Sequence, residues 1–234
     1  MTTSTRALAL LLCVGIGTAG CASATPSDAP STPPAAEEPS APPTATPTPT
    51  EQAGPEAERI IVSAEAIVVL ASDGTELAAY DYFQDTAEVV DGLTEVFGGP
   101  PADNPFEGDA HSPAGVERAW EGFSILDDER EPTPPHTPNH LVDVTASEVN
   151  GILVETMDGF AVGSVADEVL AAPDAEPYSP PGETLQLIQI DAVPLDFDDP
   201  ICPDGTCTLS VRMFTDDSAE EIVRMLAPAP NFGP

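Results

Sequence analysis

Lysine is absent from this chain of 234 residues, and its arginines number only six: Arg6, Arg59, Arg118, Arg130, Arg212 and Arg224. Against 41 aspartates and glutamates they leave a formal net charge of −35. A field of that sign repels phosphate backbones and anionic headgroups. It excludes nucleic-acid binding by counterion release and peripheral attachment through a polybasic patch. Without lysine no Ser-x-x-Lys pair can exist, and Gly-x-Ser-x-Gly elbows and phosphate-cradling glycine loops are missing too. Aromatic residues make up 5% of the chain, with Trp120 the only tryptophan. Trp120, Phe123, Tyr80, Tyr82 and Phe83 are therefore expected to serve the core before they line any ligand groove. No apolar run approaches the ~20 residues that a membrane-spanning helix needs. Carboxylates, by contrast, are so abundant that pairs at the ~5–9.5 Å of a glycosidase cannot be singled out.

Among the features present, the N-terminus carries the most information. Arg6 precedes the short apolar run Ala7 to Ile16, and the small residues Gly17, Thr18, Ala19 and Gly20 lead to Cys21. A basic start, an apolar run and a small-residue exit are the parts of a secretory signal. A cysteine directly after the small residues resembles the lipobox of bacterial lipoproteins, although Thr18 stands where such boxes usually carry Leu. The resemblance implies removal of residues 1–20, acylation of Cys21 with palmitate-type chains, and anchoring to the outer face of the cell membrane. Ala22-Ser23-Ala24 offers a second cleavage site. That cut would discard Cys21 and release a soluble secreted protein.

Residues 21–57 are expected to form a disordered linker. Pro, Ala, Thr and Ser dominate it, as in Thr44-Ala45-Thr46-Pro47-Thr48-Pro49-Thr50, with no apolar periodicity to offset the entropy of folding. Dense proline favours extended geometry at ~3.1 Å per residue, a reach on the order of 100 Å. Such a stalk would hold a domain clear of the membrane, and a covalent lipid would be needed to keep so acidic a chain on an anionic surface.

Residues 58–234 are long enough for one domain with a real core. The pattern predicts an α+β fold, an antiparallel sheet packed by two or three short helices. Ile60 to Val62, Ala66 to Leu70, Leu77 to Tyr82, Trp120 to Leu126, Leu141 to Thr145, Ile152 to Met157, Leu185 to Asp191 and Thr208 to Phe214 read as strands. Ser72-Asp73-Gly74-Thr75 reads as a hairpin turn. Asp85-Thr86-Ala87-Glu88 is a capping box ahead of Val89, Leu93, Val96 and Phe97, with Gly98-Gly99-Pro100-Pro101 as the stop. Ser164-Val165-Ala166-Asp167 opens a shorter helix with Val169 and Leu170 inward and Pro173 beyond. Asp217-Ser218-Ala219-Glu220 predicts a third, running through Ile222 to Leu226 and stopped by Pro228. Three such units suggest weak internal repetition.

The helix caps about eighty residues apart, the Gly99-Pro100 stop and Trp120-Glu121-Gly122-Phe123 resemble the small α+β units of the β-lactamase-inhibitor-protein group. Related units occur in outer-membrane assembly lipoproteins of the SmpA/OmlA type. The chain as a whole is similar to secreted lipoproteins of high-GC Gram-positive (actinobacterial) bacteria. Both resemblances imply an interaction role rather than catalysis, with a protein or cell-wall partner, and neither transfers a binding residue.

Three further constellations carry candidate chemistry. Cys202 and Cys207 flank a Pro-Asp-Gly turn and are expected to form a disulfide in an oxidising exterior. A loop this small contributes about 2 kcal/mol in the chain-entropy account. A redox pair is the alternative, but the spacing is not Cys-x-x-Cys. Asp196, Asp198, Asp199 and Asp204, with Asp191 upstream, could supply oxygens to Ca2+ on that turn, yet the run lacks the EF-hand pattern. His136 and His140 lie four apart, with His111 elsewhere, but prolines forbid the helix that would align them, and solvated loop histidines are the simpler reading. No other cofactor is implied. The reading is a non-enzymatic binding or accessory protein tethered outside the cell, with an extracytoplasmic hydrolase or a soluble inhibitor-like module as alternatives.

Overall fold

A computed structural model describes residues 56–108, 113–128, 134, 137–178, 187–195, 207–216, 218 and 220–231. The chain divides into the units Met1–Thr50 and Glu51–Pro234, and every described residue belongs to the second. In order, its elements are β1 (Ala57–Val62), β2 (Ala66–Ala71), β3 (Glu76–Asp81), α1 (Thr86–Phe97), β4 (Ala102–Phe106), β5 (Gly115–Trp120), β6 (Phe123–Asp128) and β7 (Leu141–Val144). There follow β8 (Glu148–Val149), β9 (Ile152–Glu155), α2 (Ala166–Leu170), β10 (Glu176–Tyr178), β11 (Leu187–Pro194), β12 (Thr208–Thr215) and β13 (Ile222–Asn231). The fold is sheet-rich α+β. No helix among the described residues is long and apolar enough to cross a membrane.

The first sheet has five strands in the order β3-β2-β1-β9-β8. β-Branched runs Ile60-Ile61-Val62 and Ile67-Val68-Val69 suit its pleat. Gly74 turns the β2–β3 hairpin at φ +81, and the Asp73 carboxylate accepts from the Thr75 amide at 2.9 Å. Asn150 and Gly151, at φ +52 and +86, close the β8–β9 hairpin in the two-residue form whose twist matches its strands. The β1–β9 pair is parallel, so the expectation of a single antiparallel sheet needs two corrections. There are two sheets, and one pairing is parallel because β9 returns beside β1 after a long excursion through the other sheet.

The second sheet has eight strands in the order β10-β11-β12-β13-β7-β6-β5-β4. Its construction is a repetition. Helix α1 is followed by the antiparallel meander β4 to β7, and α2, about eighty residues later, by the antiparallel meander β10 to β13. The last strand of each meander pairs with the other, β13 against β7, antiparallel. Two equivalent four-strand units thus meet at the centre of the sheet.

Register separates the faces. Ile188, Met213, Met225, Val144, Phe123 and Trp120 are successive cross-strand partners and form one buried row. That row shares a cluster with Val89, Leu93 and Phe97 of α1, Ala166 and Val169 of α2, and Ile60, Val62, Ile67 and Val69 of the first sheet. Phe97 stands 5.0 Å from the Trp120 ring and 5.3 Å from Phe123, which fixes α1 on this face. Trp120 Nε1 donates to Gly99 O at 2.8 Å, satisfying its polar atom just past the helix end. A smaller cluster joins Ala64, Leu195, Cys207 and Leu209.

Both of the first two helices form where caps announced them, for different reasons. Asp85 Oδ1 accepts from the amides of Ala87 and Glu88, and Gly98 ends α1 at φ +75. α2 has Val165 at its N-cap with no side-chain hydrogen bond, while Ser164 Oγ accepts instead from Ala161 N. The third helix is corrected to strand β13. Met225, Ala227 and Ala229 are buried with period two, β12 and β7 bond the strand on either side, and Ile222 N donates to Ser164 O. Only five residues separate Glu221 from Ala227, too few before Pro228 for a stable helix. The expected strand over Trp120 to Leu126 is likewise a hairpin. Glu121 and Gly122 form its turn, with Gly122 at φ +89 and its carbonyl accepting from Thr145 and Ala146.

Candidate interaction face

The other face of the eight-stranded sheet is where the helices are not. Gln189, Arg212, Leu226, Asp143, Ser124, Ala119 and Ala102 are successive cross-strand partners along it. Its centre, where the two meanders meet, is built around Arg224. The guanidinium grips Asp143 through two parallel bonds, Nε to Oδ1 at 2.8 Å and Nη2 to Oδ2 at 2.7 Å. It also sits over Phe214, 5.2 Å from the ring centroid. Hydrogen bonding to Asp143 raises the Arg224 pKa, so the charge is permanent. Half-buried Leu126, Leu141 and Leu226 flank this group. Further out, Glu117 accepts from Ser124 Oγ at 2.9 Å and from Asn104 Nδ2 at 3.4 Å. All these side-chain partners are neighbours on the same face.

An arginine held rigid by a bidentate carboxylate and stacked on an aromatic ring keeps donors free of conformational disorder. Arginine and aromatic groups surrounded by aliphatic side chains are the composition of interface centres. No protein-family model, no curated protein and no solved structure matches the chain. The face itself therefore supplies the functional argument.

The residues singled out from sequence fall into two groups. Cys21, Cys202, Asp196, Asp198, Asp199, Asp204, His111 and His136 lie outside the described residues. Cys207 is buried and disulfide-bonded. Among the described residues, no group of three or more His, Cys, Asp or Glu side chains is placed to hold a metal ion. His140, expected to be solvated, is instead 1% exposed. It packs against Tyr82 at 5.7 Å between ring centroids, its Nδ1 is 3.4 Å from Thr86 Oγ1, and its Nε2 has no hydrogen-bond partner among the described residues. Burial drives its pKa down to about 4, against the upward pull of Asp127 and Asp81. The segment it ends is latched by Asn139, whose N and Nδ2 donate to Tyr82 O and Gln84 O, both at 2.8 Å.

Asp191 is the carboxyl whose pKa is pushed up, chiefly by burial and further by Asp174, Glu65 and Asp158. Its work is structural. At φ +52 it turns β11 inside a register shift, accepts from Ala64 N at 2.6 Å, and donates its own amide to Asp174 at 2.9 Å. Tyr82 is fully buried, donates to Ser63 O at 2.9 Å, and has its pKa raised by desolvation. Trp120, Phe123 and Tyr82 thus belong to the core, while Tyr80 and Phe83 are half-buried. Sequence reading missed Arg224, Phe214 and Asp143. The available signal was the scarcity of cations, since an arginine in so acidic a chain is rarely without a partner; Arg224 was hidden by the helix assigned around it.

Proposed function

We propose that this chain is a membrane-tethered extracytoplasmic binding protein, not an enzyme, held by a lipid on Cys21 and carried by the 21–57 linker. The observation that carries the binding reading is the helix-free face of the eight-stranded sheet, centred on the Arg224–Asp143–Phe214 group. On this face Leu187, Gln189 and Ser210 are buried, so the accessible part is the β13–β7–β6 junction, where Arg224, Leu126, Leu141 and Leu226 are only partly covered. The partner is a protein or a cell-wall component rather than a nucleic acid, for the electrostatic reasons given by the composition. The succession of helix plus four strands, twice, builds the sheet whose helix-free face this reading uses. The tether reading rests on the lipobox-like cysteine and the proline-rich linker.

The test is crosslinked affinity capture from native membranes with the wild-type chain, Arg224→Glu and Cys21→Ser, each also labelled with a palmitate analogue. Wild type and Arg224→Glu should both incorporate label, and only wild type should retain its crosslinked partner. Label absent from wild type removes the tether, and a partner captured equally by Arg224→Glu removes the face.

A further inference from the structure

A cleft of about 650 Å3 lies away from the interaction face, between the first sheet, the C-terminal half of α1 and the β8–β9 turn. That volume is in the range of small-molecule sites, ~300–1,000 Å3. Its lining includes the apolar Val69, Leu77 and Val96 and the carboxylates of Glu56, Glu58 and Glu95. Tyr80 also lines it, half-buried against Gly92 of α1. The helix has a glycine at that point because a Cβ there would collide with the Tyr80 ring. Burial and the neighbouring Glu95 raise the Tyr80 pKa, so the ring stays neutral beside the carboxylates.

We propose that this cleft binds a small organic cation, an ammonium group carried on an apolar or aromatic body. The charge balance selects it. Three carboxylates line the cleft, among the described residues no basic side chain does, and the described ion pairs of Arg59, Arg118 and Arg224 go to Glu155, Asp127 and Asp143 instead. An anionic ligand would meet uncompensated like charge. A bare metal ion is disfavoured because, among the described residues, carboxylates are nowhere gathered at ligating distance. An ammonium would sit among the carboxylates, with the Tyr80 face contributing cation–π attraction, while the body of the ligand covers Leu77 and Val96.

Three indole probes of one shape separate the terms: tryptamine (cation), tryptophol (neutral) and indole-3-propionate (anion). They are titrated at low salt into the isotope-labelled full-length chain and followed by amide NMR. Tryptamine should give saturable shifts at Tyr80, Gly92, Glu95 and Gly151, tryptophol should bind at least about tenfold more weakly, and indole-3-propionate weakest. Each exposed carboxylate should contribute about two- to fivefold. Glu58→Gln with Glu95→Gln should therefore weaken tryptamine about four- to 25-fold, with Glu56 keeping it above tryptophol, and leave tryptophol unchanged. The proposal is overturned if tryptamine fails to bind at millimolar concentration or binds no better than tryptophol. Shifts scattered over the acidic surface, or tryptamine binding unaltered by the double substitution, would overturn it too.

Discussion

Acidification should destabilise this protein through one side chain, His140. The imidazole is 1% exposed, and Tyr82 and Thr86 pack against it. Its Nε2 faces no acceptor among the described residues, so a proton taken up there would be buried without one of them as partner. Asp127 and Asp81 favour the charged form, but desolvation outweighs them and holds the folded pKa at about 4, against 6.5 for an ordinary histidine. Above pH 6.5 the ring is neutral in both states and contributes no slope. Between 6.5 and about 4 the unfolded chain binds a proton that the folded chain resists, so stability falls as pH falls and levels off below that window. At 1.36 kcal/mol per pH unit the full loss is about 3 kcal/mol, and about 2 kcal/mol is lost by pH 5. Relief of self-repulsion among 41 acids works in the opposite direction over the same range. The informative quantity is therefore wild-type stability minus that of His140→Leu, measured by urea unfolding between pH 7.5 and 5. That difference should shrink by about 2 kcal/mol on acidification. A difference that stays flat, or grows, refutes the argument that His140 is buried neutral.

Three other outcomes follow from the packing. Phe97→Ala removes the α1 anchor against Trp120 and Phe123 and should cost about 3–5 kcal/mol in urea unfolding. Gly122→Ala meets both a left-handed backbone and the Ala146 methyl, whereas Gly159→Ala meets an equally left-handed backbone and no atom closer than 3.9 Å. Thermal unfolding should show both destabilised by about 1–2 kcal/mol for the backbone, with Gly122→Ala clearly the worse. Intact mass should rise by about two daltons on reduction, one for each sulfhydryl hydrogen regained, and Cys207→Ser should abolish that rise.

What the sequence revealed depended on whether the deciding force was local. Asp85 and Gly98 bound α1 because capping is settled within four residues. The Asp73-Gly74 turn and the runs around Ile60 and Ile67 were legible for the same reason. β13 was not, because its conformation is decided by ladders to β12 and β7, strands far away in sequence, and these override a cap-like Asp-Ser-Ala-Glu. Nor could local pattern show that Trp120 and Phe123 face each other across a turn; Gly122 looked like an interruption inside one strand. His140 was misplaced by its proline-rich surroundings, although Asn139 ties the segment to Tyr82 and Gln84 and buries the ring. The interaction face was the least legible feature. Arg224, Asp143 and Phe214 come from three strands, and only the β13–β7 junction unites them.

The claim that this protein works by binding through its helix-free sheet face meets its most direct test in site-specific photocrosslinking on native membranes. A photoreactive residue is placed in turn at Leu141 and Leu226 on the face, and at Glu76 and Asp167, which are exposed elsewhere. A discrete crosslinked species from Leu141 and Leu226, absent from Glu76 and Asp167, is the expected result. The same species from all four positions, or none from Leu141 and Leu226, would contradict it.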